Sequence, residues 1–251
     1  MLAIEFPPVS HLIEWPDLFG SGPFAVNKVV LLMWTAALLT FLLFFVAGRQ
    51  AQLVPTGVQN VAESVIDFVR EQVILQTMGP EGLSWTPFLV TLFTFIFVGN
   101  IFEVVPFVQM PVNARIALPA FMAIVVWVLF NVVGIRHQGF FGYFKAMMFP
   151  PGVPKPIYVL VTPIELVSTL IVRPFSLMIR LFANMLAGHL ILVSFAVLAD
   201  ALFDATIAGA ALPGALLVAL TGFEILVSGL QAYIFTILAA VFIGGAMHPE
   251  H

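Results

Sequence analysis

Charged residues are spaced far apart along this chain, and the intervals between them are filled with apolar side chains. Apolar runs separate Lys28 from Arg49, Glu81 from Glu103 and Arg115 from Arg136. Each is about twenty residues long, enough for a helix to cross a hydrocarbon layer of about 30 Å. The pattern predicts a first span over 27–47, a second over 85–105 and a third over 116–135. Residues 157–247 are apolar almost throughout, broken only near "ADALFDATIAGAALPG" at 199–214. Each half of that stretch is around forty residues, about 60 Å if wholly helical. Two long, tilted helices forming a hairpin would satisfy the length, and so would four ordinary crossings.

Between the first two spans the pattern changes. In 55–77 the residues Val58, Val61, Ala62, Val65, Ile66, Phe68, Val69 and Val73 recur at helical spacing, interrupted by Glu63, Asp67, Arg70 and Glu71. This is an amphipathic helix, expected to lie on the membrane surface. The segment 136–156 carries Gly, Pro and basic residues and is expected to be a loop. Together these elements predict a single membrane domain over 1–251. Its fold class is an all-α polytopic membrane protein with about five membrane helices and one amphipathic surface helix.

Composition sharpens the class. Hydrophobic residues make up 61% of the chain and charged residues 9%, against roughly 45–50% and about 25% in a soluble domain. Cysteine is absent, which excludes disulfides and thiolate metal sites. A net charge of −4 gives no reason to expect a nucleic-acid partner. The N-terminal segment 1–26 lacks the positive region of a cleavable signal and carries Glu5, Glu14 and Asp17. Arg49 and Arg70 follow the first span, and Arg136, Lys145 and Lys155 follow the third. By the positive-inside rule the N-terminus is expected outside, with 136–156 and the C-terminus in the cytoplasm. Lys28 and Arg115 run against this order as edge residues able to snorkel.

Ionisable groups at membrane depth are costly and begin as functional candidates. On an ideal helix Arg173, Ser176, Arg180, Asn184 and Ala187 form one polar or small stripe, while His189 lies on the opposite face. Glu224, Ser228 and Gln231 share a face further on, and a histidine beside Glu224 would make a proton-exchanging pair; His189 is the candidate. Bland alternatives stand beside each reading. Arg173 could be a helix-end residue reaching the surface, and Arg180 could be held in an internal salt bridge to Glu165 or Glu224. His189 could be a helix–helix hydrogen-bonder, and Asn100 and Glu103 could mark an interfacial helix end. Ala183, Ala187 and Gly188 equally suit close helix packing. Phosphate-loop, nucleophile-elbow and zinc-protease motifs are missing, which leaves the movement of a proton or small ion as the chemistry open to these residues. No cofactor and no metal is expected.

The stretch "SLMIRLFANMLAGHLIL" at 176–192, with "GFEILVSGLQAYIFTIL" at 222–238, resembles subunit a of the F-type rotary ATP synthase, known as subunit 6 in mitochondria. The surface helix and "VGNIFEVVP" at 98–106 also have counterparts in that family. The resemblance covers most of the chain from about residue 27 and is weakest over 107–157. It implies a stator subunit that carries protons past a rotating ring of c subunits, the last two helices forming a long tilted hairpin against that ring. Arg180 resembles the family's essential arginine, Gln231 its partner on the neighbouring helix and Asn184 a companion one turn along. His189 and Glu224 resemble the polar pair of the outer half-channel, and Asn100 and Glu103 further residues of it. Glu165 and Ser168 resemble residues of the cytoplasmic half-channel, with Arg173 as a supporting charge. Implied partners are the c-ring proteolipids, peripheral-stalk b subunits and the rest of the complex, together with membrane lipid and protons, in a bacterial plasma (inner) membrane. Other classes remain open at this stage: a secondary transporter or ion channel acting alone, and an anchor subunit of a respiratory complex. The first predicts internal repeats, of which none is evident between the halves.

Overall fold

The computed structural model describes residues 18–20, 25–49, 52–106, 108–149 and 157–247, and for 204, 205, 207 and 208 the backbone alone. Most of the expected N-terminal segment, part of the loop 150–156 and the last four residues fall outside the described residues. The described chain is helical apart from turns and one backbone bridge between Phe19 and Val26.

Helix α1 runs Lys28–Arg49. Helix α2 begins at Val58–Val69 and continues without a break through a wider turn, Arg70–Ile74, to Leu75–Thr77. A 3-10 segment, Pro80–Trp85, leads into α3, Thr86–Ile101. Helix α4 spans Ala117–Gln138 and α5 spans Phe140–Met148. Then α6, Tyr158–Val167, passes through a π-helical turn, Ser168–Val172, into α7, Arg173–Ala205. Helix α8 covers Ile207–Met247. Among the described residues, five helical segments are long and apolar enough to cross a membrane.

The hairpin alternative for 157–247 holds, and the four-crossing alternative does not. The chain stays helical from Tyr158 to Ala205 and reverses at Thr206 alone, whose φ of −160° and ψ of 139° are extended. Pro213, which marks a plausible break in the sequence, sits inside α8 near its start. There, in the second turn, its ring removes one i→i−4 hydrogen bond, and the helix continues through it. Pro174 falls in the first turn of α7 just after the π-helical turn. A widened turn absorbs the displaced carbonyl that a proline ring would otherwise strike.

Helices α7 and α8 pack along each other, and α8 rests on α3 and α4, with α4 also against α7. Their shared core is built from Leu89 and Ile96 of α3, Phe130 of α4, Leu177, Leu181 and Met185 of α7, and Phe235 and Ile243 of α8. The amphipathic α2 does more than lie on a surface. Its stripe of Ala62, Val69, Val73 and Ile74 is buried within the protein, and Phe68 meets the rings of Phe93 and Tyr233 at 5.5 and 5.8 Å. The loop expected over 136–156 contains α5, entered through Gly139 at φ 74°, a conformation that glycine adopts at no steric cost.

The bundle has two distinct ends. At one, Gln138 donates to the carbonyl of Ala246, and Gly244 sits against the end of α2 at Thr77 and Met78. At the other, the Lys28 ammonium donates to the Val108 carbonyl at 2.8 Å, beside the connection between α3 and α4.

Candidate functional site

The placement of Arg180 follows from the pitch of α7. Leu177, Leu181 and Met185 recur every four residues and are buried, so this ridge fixes which face turns inward. Ser176, Arg180, Ala183, Asn184 and Ala187 are consequently exposed. The guanidinium of Arg180 has no ion-pair partner among the described residues. Of the two acids that could have held it, Glu165 pairs with Arg173 at 3.1 Å and Glu224 lies against Gly188. Gln231 is buried on the neighbouring helix. The antiparallel register, set by Arg173 over the Phe242 ring and by Gly188 against Glu224, puts Gln231 within about a turn of the level of Arg180 and Asn184.

On the opposite face of α7, His189 is buried. Its Nδ1 lies 3.9 Å from Oε1 of Glu103, whose side chain is fully buried. That separation suits an ion pair when the imidazole is protonated and is too long for a hydrogen bond. The sequence suggests Glu224 as the partner of His189, and the structure adds Glu103 at ion-pair distance. Glu224 reaches the same region, its carboxylate pressed onto Gly188, where an added Cβ would lie 2.6 Å from Oε1. Ser228, one turn beyond Glu224, is also buried. Both oxygens of Glu103, Oε2 of Glu224 and the Ser228 hydroxyl make no hydrogen bond among the described residues. Buried polar atoms in that condition cost about 1–3 kcal/mol each unless water reaches them.

Asn100, in the last turn of α3, is buried and accepts a hydrogen bond at 2.6 Å from the amide of Asn113. Sequence reasoning did not single out Asn113. Its one signal was an amide two residues after Pro111, in the connection between α3 and α4. The remaining candidates lie nearer the other end of the bundle. Glu165 and Arg173 form a half-exposed pair across the π-helical turn, with Ser168 opening that turn and half-buried. The Arg173 guanidinium also stacks over Phe242, 5.5 Å from the ring centre. Among the described residues no group of His, Asp and Glu is arranged to hold a metal ion.

These features define an integral membrane protein of helices, with acids, an imidazole and amides buried between them and a lone arginine on an outer face. Residues 30–244 match the ATP synthase A chain family, and the chain belongs to that family. It is 44% identical to ATP synthase subunit a of Frankia alni, over 97% of this chain and 87% of that protein. It is 46% identical to the protein of that name from Parafrankia sp., over 96% and 83% respectively. With the Rhodococcus erythropolis protein of that name it shares 40% identity, over 98% and 89%.

Proposed function

We propose that this chain is the stator subunit that conducts protons through the membrane sector of a rotary ATP synthase, past a ring of c subunits. The carrying observation is the division of α7 into two faces: Arg180 exposed on one, His189 buried with Glu103 on the other. The exposed face, with the small side chains of Ala183 and Ala187 beside Arg180 and Asn184, is the surface offered to the ring.

Arginine does not give up its proton in a protein, so Arg180 is no relay. It attracts a ring carboxylate that has lost its proton and releases one that has regained it. At about 4 Å and an effective dielectric near 20 such a pair is worth about 4 kcal/mol before desolvation. That is enough to favour an ionised carboxylate facing the stator, and small enough for protonation to reverse. The same positive charge opposes direct passage of protons between two offset half-channels, so crossing requires the ring to turn. One charge moving through 100 mV yields about 2.3 kcal/mol, so several must pass for each ATP.

In this reading His189, Glu103, Glu224 and Asn100 belong to the outer half-channel, and Glu165 and Ser168 to the cytoplasmic one, with Arg173 as a supporting charge. Gln231 and Asn184 border Arg180 at the ring. The end of the bundle holding Lys28 and the α3–α4 connection faces outward, with the N-terminus outside and the C-terminus in the cytoplasm. Peripheral-stalk b subunits hold the chain against rotation, and the membrane is a bacterial plasma membrane.

The test is Arg180→Ala in the assembled complex, reconstituted in liposomes. ATP-driven proton pumping and proton-driven synthesis are expected to be lost while passive proton leak persists. Synthesis at the parental rate would overturn the proposal.

A further inference from the structure

We infer that Asn113 is a positioning residue of the outer half-channel, holding the Asn100 amide in one orientation beside Glu103; this rests on the proton-path reading above. Asn113 lies on a single 3-10 turn, Val112–Ala114, in the connection between α3 and α4. All three residues of that turn are buried. The turn is wedged against α1, α3 and α7, and Val112 and Met110 are embedded in an apolar cluster with Val29, Ala36 and Phe102. Gly99 lies alongside the Asn113 amide, where a Cβ would make only ordinary contact, 3.7 Å from Nδ2. The position of Asn113 is therefore set by packing before its amide makes any bond.

Only one hydrogen bond joins the two amides. Asn113 Nδ2 donates to Asn100 Oδ1, while Asn100 Nδ2 and Asn113 Oδ1 have no hydrogen-bond partner among the described residues. The pair thus keeps one buried donor and one buried acceptor in reserve. Three residues after Asn100 come the two carboxylate oxygens of Glu103, in the same condition. A purely structural amide pair would be expected to satisfy its groups, because buried donors and acceptors are nearly always paired. A donor, an acceptor and a carboxylate, one after another without hydrogen bonds among the described residues, suit a file of water molecules, each of which needs two to four polar partners. By fixing Oδ1 of Asn100, Asn113 decides that Asn100 presents its N–H groups, not its carbonyl, toward that water.

The experiment compares Asn113→Thr with Asn113→Val in the assembled complex. The two side chains have nearly the same shape, and only threonine keeps a hydroxyl able to donate to Asn100. Passive proton conduction is measured per assembled complex in membrane vesicles, with the amount of complex quantified separately. The valine variant is expected to conduct about tenfold more slowly, the scale of one lost hydrogen bond. The threonine variant should retain at least half the parental rate. Adding Asn113→Val to Asn100→Val should slow conduction no further than Asn100→Val alone. Equal rates in N113T and N113V, or additive losses in the double variant, would overturn the inference and leave the Arg180 test untouched. If N113V does not accumulate, N113A, which also lacks a donor, takes its place, and conduction equal to the parent would then overturn the inference. A normal rate of synthesis in R180A would instead remove the reading on which it rests.

Discussion

Gly188 of α7 and Glu224 of α8 meet so closely that a side chain at 188 must displace the acid: a methyl group on residue 188 would sit 2.6 to 2.7 Å from all three atoms of the Glu224 carboxyl group. The small residue serves an acid here, where close packing of two backbones is its usual role in membranes. Gly188→Ala is expected to displace the carboxylate and cost about 1–3 kcal/mol of stability by overpacking. On the proposed function it also slows proton conduction, and Gly188→Val slows it further. Thermal stability of the solubilised complex and proton conduction in vesicles check the two effects separately.

His189 and Glu103, 3.9 Å apart, lead to a prediction about coupling. His189→Ala, Glu103→Gln and Glu224→Ala should each slow proton conduction. Because the three groups share one buried region, the double variants should lose much less than the combined single losses. Small and fully additive effects would show that they do not form one relay.

The pair of Arg173 and Glu165 is half-exposed, and exposed ion pairs contribute about 0–1 kcal/mol. Glu165→Gln is therefore expected to leave the melting temperature of the complex nearly unchanged. Arg173→Ala also removes the stacking over Phe242 and should lower it more. A large drop for Glu165→Gln would show that the carboxylate has a greater structural part than its exposure implies.

Tyr143 of α5 donates to the Asn131 side-chain carbonyl at 3.0 Å, and its ring packs directly onto Gly134 of α4. Tyr143→Phe should cost about 0.5–1.5 kcal/mol, the net value of one hydrogen bond. Gly134→Ala should cost about 1–3 kcal/mol, since a methyl group would push into the ring. Melting of the solubilised complex distinguishes the two, with the glycine change expected to be the more damaging.

The spans and the two faces of α7 were legible in the sequence because both depend on periodicity alone. Leu177, Leu181 and Met185 on one side and Arg180 and Asn184 on the other repeat at the pitch of a helix. What periodicity does not carry is distance between elements. Glu103 and His189 are separated in the chain by helices α4, α5 and α6, so their approach appears only once the bundle is packed. The hairpin turn was bracketed by 199–214, but its exact place was not legible: proline and glycine at 213 and 214 are the stronger breakers, whereas Thr206 makes the reversal. Helix α5 was hidden by Gly139 and Gly142, which resemble loop composition although only Gly139 has a positive φ. Asn113 escaped notice because it lies in neither a helix nor a motif.

The two faces of α7 belong to one unbroken rod, so their relation is geometrically fixed. Nine residues separate Arg180 from His189, about 13 Å along the axis and half a revolution around it. One residue inserted between them would swing His189 through about 100° relative to Arg180 and carry it away from Glu103. The rod behaves as a crankshaft whose throw is written in residue count. On the proposed function, a chain with altered spacing here could keep every polar group and still fail to transmit.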